Sequence, residues 1–162
     1  MYSATFAQEQ RRTWVVRANL GSSVGITNVS LEKALSAKHS IALLPSYGYF
    51  WSEDYRYETF GIGMEYRYYF AKNSIAPKGF YLAGGGSLAK GKATNGLTNV
   101  SYDVKGFSAQ ATAGKQWILR KGLTFDLNVG AEYLKLNVTG EGREFQFNLF
   151  LPSLGGGVGY AF

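Results

Sequence analysis

The single histidine, His39, stands beside Ser40, which sets an imidazole general base next to a hydroxyl nucleophile. No further motif surrounds the pair, and it falls beside a predicted short turn, so His39 reads as a turn residue. One histidine without any cysteine gives no metal-ligand set of recognisable spacing. The lack of cysteine also excludes disulfides. The run Gly84-Gly85-Gly86 has no helix after it of the kind a phosphate-binding loop needs, and close strand packing accounts for it better. Asn99-Val100-Ser101 and Asn137-Val138-Thr139 fit a glycosylation pattern but read as polar rim residues. No catalytic residue, cofactor or metal is therefore expected.

What remains is a set of isolated charges: Arg17, Glu32, Glu65, Arg67, Asp126 and Glu132. Their meaning depends on the elements that hold them. The dominant period along the chain is two, so successive side chains point to opposite faces of strands. Between Tyr57 and Phe70, the residues Phe60, Ile62, Met64, Tyr66, Tyr68 and Phe70 share one face; Thr59, Gly61, Gly63, Glu65, Arg67 and Tyr69 share the other. The same alternation marks Thr13–Gly21, His39–Trp51, Leu123–Tyr133 and a last segment ending at Phe162. Thr27–Leu35, Gly79–Ala89 and Ser101–Leu119 are less regular, and Gly79–Ala89 is too glycine-rich to fix its facing. Tyr102 and Val104 have the wrong parity for their strand, and the Phe145, Phe147, Leu149 series changes phase near Leu151-Pro152. Both read as β-bulges.

These segments predict an all-β fold, an eight-stranded antiparallel up-and-down transmembrane β-barrel over residues 13–162, after a flexible segment at 1–12. Within that segment Ser3-Ala4-Thr5-Phe6-Ala7-Gln8 reads either as the remnant of a secretory signal or as an ordinary terminus. The predicted connections are Ser22–Ile26, Ser36–Lys38, Ser52–Arg56, Ala71–Lys78, Gly91–Val100, Arg120–Gly122 and Thr139–Glu144.

A soluble barrel would put the apolar face inside and coat its exterior with charge. Here the polar face is mostly Gly, Ser, Thr, Ala and Asn, with charges only singly. This is a poor coat but a suitable filling for a narrow lumen. Charged residues are 17% of the chain and aromatic residues 16%. The aromatics gather at strand ends, as at a membrane interface. Tyr47, Tyr49, Tyr55, Tyr57 and Tyr133 fall near one rim; Tyr68, Phe70, Phe80, Phe125, Tyr160 and Phe162 fall near the other. The six isolated charges then lie inside, where opposite signs should pair. A basic group that includes Arg11, Arg12, Lys38 and Arg120 falls at the terminal end. An acidic group, Glu53, Asp54, Glu58, Asp103, Glu141 and Glu144, falls at the other. This distribution suits anionic headgroups or a periplasmic partner, and no nucleic-acid role is expected.

The ending Gly157-Val158-Gly159-Tyr160-Ala161-Phe162 resembles the C-terminal signal of outer-membrane barrels, with Val158, Tyr160 and Phe162 in the positions read by the barrel-assembly machinery. Glu65-Tyr66-Arg67-Tyr68-Tyr69-Phe70 and Pro77-Lys78-Gly79-Phe80-Tyr81-Leu82 resemble the small barrels of the OmpA/OmpX-like superfamily, in a group of largely unassigned function. The resemblance implies an integral protein of a Gram-negative outer membrane with periplasmic termini. Its implied partners are outer-membrane lipids, the assembly machinery during biogenesis and a protein in the outer membrane or periplasm. Lipid A deacylases of this fold use a His and a Ser near the outer rim, but His39 falls at the opposite end. The expected role is non-enzymatic, structural or interactive, including that of an accessory subunit. The alternatives are a lipid-acting enzyme and a narrow channel.

Overall fold

The computed structural model describes residues 12–20, 28–52, 54–72, 74–98, 100–140 and 142–162. Eight strands run in sequence order around a closed antiparallel barrel, and β1 closes the ring against β8. They are β1 (Trp14–Leu20), β2 (Asn28–Ala34), β3 (His39–Trp51), β4 (Tyr55–Tyr69), β5 (Gly79–Asn95), β6 (Ser101–Ile118), β7 (Leu123–Gly140) and β8 (Arg143–Ala161). Closure leaves no edge around the full ring, so the backbone bonds itself while the side chains face lipid. Among the described residues the β1–β8 ladder runs from Val15↔Ala161 to Leu20↔Gly156 and the β2–β3 ladder from Asn28↔Ser46 to Ala34↔Ser40.

Alternation along β4 is clean. Thr59, Gly61, Gly63, Glu65, Arg67 and Tyr69 are buried, and the apolar residues between them are exposed. The apolar face is therefore the outside of the barrel. At Gly85 a Cβ would lie 2.5 Å from the Met64 carbonyl oxygen, so close strand approach does require glycine within the Gly84–Gly86 run. Gly122, with φ of 94°, makes the tight β6–β7 turn, where its N–H donates to the Leu119 carbonyl at 2.9 Å.

Several expectations need correction. β5 continues through Asn95 and β7 through Gly140, beyond the predicted ends at Ala89 and Tyr133. The long connections predicted at Gly91–Val100 and Thr139–Glu144 shrink accordingly. Neither predicted bulge is present. The β5–β6 ladder runs unbroken from Gly79↔Gln116 to Thr94↔Ser101, and the β7–β8 ladder from Leu123↔Tyr160 to Gly140↔Arg143. Tyr102 and Val104 simply point inward, as do Phe145, Phe147 and Leu149. The environment of each face changes along the strand, not the register.

The predicted acidic end is mixed, because the strand extensions also carry Lys90, Lys92, Lys105 and Lys135. The predicted segment 1–12, apart from Arg12, and the connection Ser22–Ile26 lie outside the described residues. Arg12 donates to the Arg120 carbonyl at 2.7 Å.

Candidate functional site

The luminal charges stand on strands that the pleat aims inward: Arg17 on β1, Glu32 on β2, Glu65 and Arg67 on β4, and Asp126 on β7. All five are almost fully buried and they meet near the terminal end of the barrel. Arg17 Nη1 lies 3.2 Å from Glu32 Oε2 and 3.1 Å from Asp126 Oδ2. Arg67 Nη1 lies 3.0 Å from the same Asp126 oxygen and 3.5 Å from Glu32 Oε2, while its Nε is 2.5 Å from Glu65 Oε1. Two guanidinium groups thus share three carboxylates from opposite walls.

Neutral groups complete the cluster. Tyr69 and Ser40 donate to Glu32 at 2.7 and 2.6 Å. Tyr81 donates to Asp126 at 2.9 Å, and its ring lies 4.3 Å from the Arg67 guanidinium carbon. Gln110 donates to Glu65 at 3.0 Å. Gln116 accepts from both arginines and donates to the Pro77 carbonyl at 2.5 Å. A buried charge is tolerated when its partners and lone pairs are satisfied in this way; Arg17 Nη2 is the cluster atom left buried without a hydrogen-bond partner among the described residues. Glu132 faces inward on the register row of Gln110 and lines the space above the cluster.

Gln116 and Tyr81 were not among the residues that the sequence singled out as a network. Gln116 carries no charge to attract notice, and Tyr81 lies on the strand whose facing was left open. The connection 70–78 was also missed as more than a turn. Ser74, Ala76 and Pro77 are buried, and Lys38 Nζ donates to the carbonyls of Ala71 and Ser74 at 2.8 Å each. Residues 74–78 lie beneath the cluster at the terminal end, where Gln116 donates to the Pro77 carbonyl and the Ala76 N–H donates to the Ala37 carbonyl.

Above the cluster is a cavity of about 180 Å³. Glu65, Arg67, Gln110 and Asn128 line it on the cluster side; Tyr57, Val104, Leu134 and Leu136 line it farther up. Tyr57, placed at the rim by its sequence position, in fact points into this space.

The His39–Ser40 pair is split by the pleat. His39 lies on the outer face, stacked on Tyr66 and Tyr68 at 5.7 and 5.2 Å, with Nδ1 2.5 Å from the Tyr66 hydroxyl. Ser40 is inside, bound to Glu32. At the seam, Val158 and Tyr160 on β8 and the following Phe162 point outward and are exposed. Trp14 and Phe162 exchange backbone hydrogen bonds of 3.0 and 2.9 Å.

An apolar outer belt around a closed ring of eight antiparallel strands defines a barrel of the outer-membrane type. The crystal structure of Acinetobacter baumannii CarO shares this fold, with a TM-score of 0.55 at 13% identity over 95% of this chain and 99% of that one. That of Acinetobacter baumannii CarO2 gives 0.51 at 16% identity over 94% and 100%. Within this class, the chain belongs to the family described as "protein of unknown function (DUF3575)", whose model matches residues 1–145. No curated protein matches it in sequence.

Proposed function

We propose that the protein is a non-enzymatic integral barrel of a bacterial outer membrane with a closed lumen and a structural or interaction role, including that of an accessory subunit. The observation that carries this reading is the ion cluster of Arg17, Glu32, Glu65, Arg67 and Asp126 across the lumen, seated on residues 74–78. An eight-stranded interior is narrow enough for side chains to fill it. Planar-bilayer recording tests the reading: the monomer should give no large, steady conductance, and such a conductance would move the channel alternative to first place. Turnover of lipid by the purified barrel would overturn the non-enzymatic part. Stable co-purification of a native protein in mild detergent would favour the subunit form.

The same reading puts the Trp14 and Ala161 ends of the wall in the periplasm. Small barrels of this class have short periplasmic turns and longer outer connections. Here the terminal-end turns after β2 and β6 are short but the 70–78 connection at that end is long, and 52–54 and 141–142 at the other end are short, so the support is strand length: β5 to β8 extend past the apolar belt at the other end. Single cysteines at Lys38 and Asn95, labelled on intact cells with an impermeant reagent, should react at 95; preferential reaction at 38 would reverse the orientation. The likeness of the segments Glu65–Phe70 and Pro77–Leu82 to those of OmpA/OmpX-like barrels supports membership of that superfamily. Val158, Tyr160 and Phe162 offer the outward row that the assembly machinery would read.

A further inference from the structure

The outer surface changes from apolar to charged at one level on three neighbouring strands. Leu88 on β5, Phe107 on β6 and Tyr133 on β7 are exposed and lipid-facing. Two residues farther from the terminal end, at the same outward parity, stand Lys90, Lys105 and Lys135. Lys90 and Lys105 are direct cross-strand partners. Lys105 pairs with Asn137, and Phe107 with Lys135, so Lys135 is the diagonal neighbour of Lys105. Like charges directly opposite one another destabilise a sheet. The nearby acids Glu58 and Asp103 both stand opposite Lys92 and are diagonal neighbours of Lys90, but neither makes an ion pair with Lys90 or Lys105. Among the described residues none of the three lysines makes an ion pair. The lipid-facing lysines at the terminal end are placed differently. Lys33 lies over Trp14 at 4.8 Å, and Lys115 over Phe80 and Trp117 at 4.4 and 5.1 Å.

We propose that Lys90, Lys105 and Lys135 form a docking row for a multiply phosphorylated, acylated sugar of the outer leaflet. Its phosphates would lie between the ammonium groups, and its acyl chains would run down over Leu88 and Phe107. An intervening phosphate turns the Lys90–Lys105 repulsion into two attractions. The row's position at the edge of the hydrocarbon belt favours a lipid headgroup over a free anion. The proposal rests on the orientation given above.

The test uses the full chain in phosphatidylcholine nanodiscs containing bisphosphorylated lipid A, with bound lipid counted by native mass spectrometry after release. The wild type should retain lipid A, and K90Q/K105Q/K135Q should lose affinity on the order of a hundredfold. K92Q, whose lysine is bracketed by acids, should bind as the wild type does. Unchanged binding by the triple variant would overturn the proposal. Equal retention of phosphatidylglycerol would reduce the row to general anion attraction, and equal binding of the deacylated sugar bisphosphate would make it a free-phosphate site; either result overturns it too. If the triple variant fails to fold, judged by heat-modifiable gel migration, K105Q alone should lose about fivefold, and no loss counts against the row. Nanodiscs have no sidedness, so this result is independent of topology. Labelling at position 38 would overturn the orientation, and loss of lipid selectivity would overturn the row.

Discussion

The two halves of this barrel use the same strands in opposite ways. Near the termini the outside is apolar and the inside ionic, as on β4, where Met64 and Tyr66 face out while Glu65 and Arg67 face in. Toward the other end the outside carries Glu58, Lys90, Lys105 and Lys135, and the inside carries Val104, Leu134, Leu136 and Phe147. The ladders cross this boundary without a break. Backbone pairing is indifferent to which face is greasy; the medium on each side selects the side chains. In hydrocarbon the lumen is the only shelter for charge. Beyond it, the mouth is the better shelter for apolar groups.

The sharpest way to break this contrast is to remove a cluster charge. Arg67→Ala leaves Glu65 and Asp126 short of a cation, and should cost about 3–5 kcal/mol of unfolding free energy in urea titrations of vesicle-embedded protein. Lys92→Ala, on the water-exposed extension, should change it by less than about 0.5 kcal/mol. Equal effects would mean that the luminal ions are not a structural unit. A somewhat smaller loss, about 2–4 kcal/mol, is expected for Met64→Arg, because its new charge faces the membrane interior. A negligible change there would remove Met64 from the hydrocarbon belt. A smaller loss than that of Arg67→Ala or Met64→Arg belongs to the upper interior: Phe147, 50% exposed, should lose only about 1 kcal/mol as Phe147→Ser. A penalty several times larger would show a closed apolar core where the structure has an open mouth.

The lower half was legible because membrane and lumen impose opposite demands on alternate residues. That contrast picked out β4 and β7 and placed Arg17, Glu32, Glu65, Arg67 and Asp126 on inward parity. The upper half was misread for the same reason. When the media exchange, the alternation inverts, and an inversion in sequence is indistinguishable from the extra residue of a bulge. Tyr102, Val104 and Phe145 are the residues that carried this error. The role of the 70–78 connection was illegible for another reason: Ser74, Ala76 and Pro77 have no periodic pattern that would reveal burial. Phe80, Leu82 and Leu88 share the outward parity of β5, but Tyr81, large and inside, and the outward glycines at 84 and 86 argue for the opposite facing, which is why that strand could not be read.

The unbroken register gives the molecule a fixed gauge. From Phe60 to the Phe70 that follows β4, a rise of about 3.3 Å per residue and a tilt near 40° make a belt about 25 Å tall. Ion pairs from β1, β2, β4 and β7 tie opposite walls together inside that belt. A single helix facing a thinner or thicker bilayer can tilt, but a cylinder braced across its bore has little such freedom, so the surrounding lipid must compress or stretch instead. The barrel therefore deforms the lipid immediately around it wherever the bilayer differs in thickness, and two copies that share one deformed zone attract each other without touching.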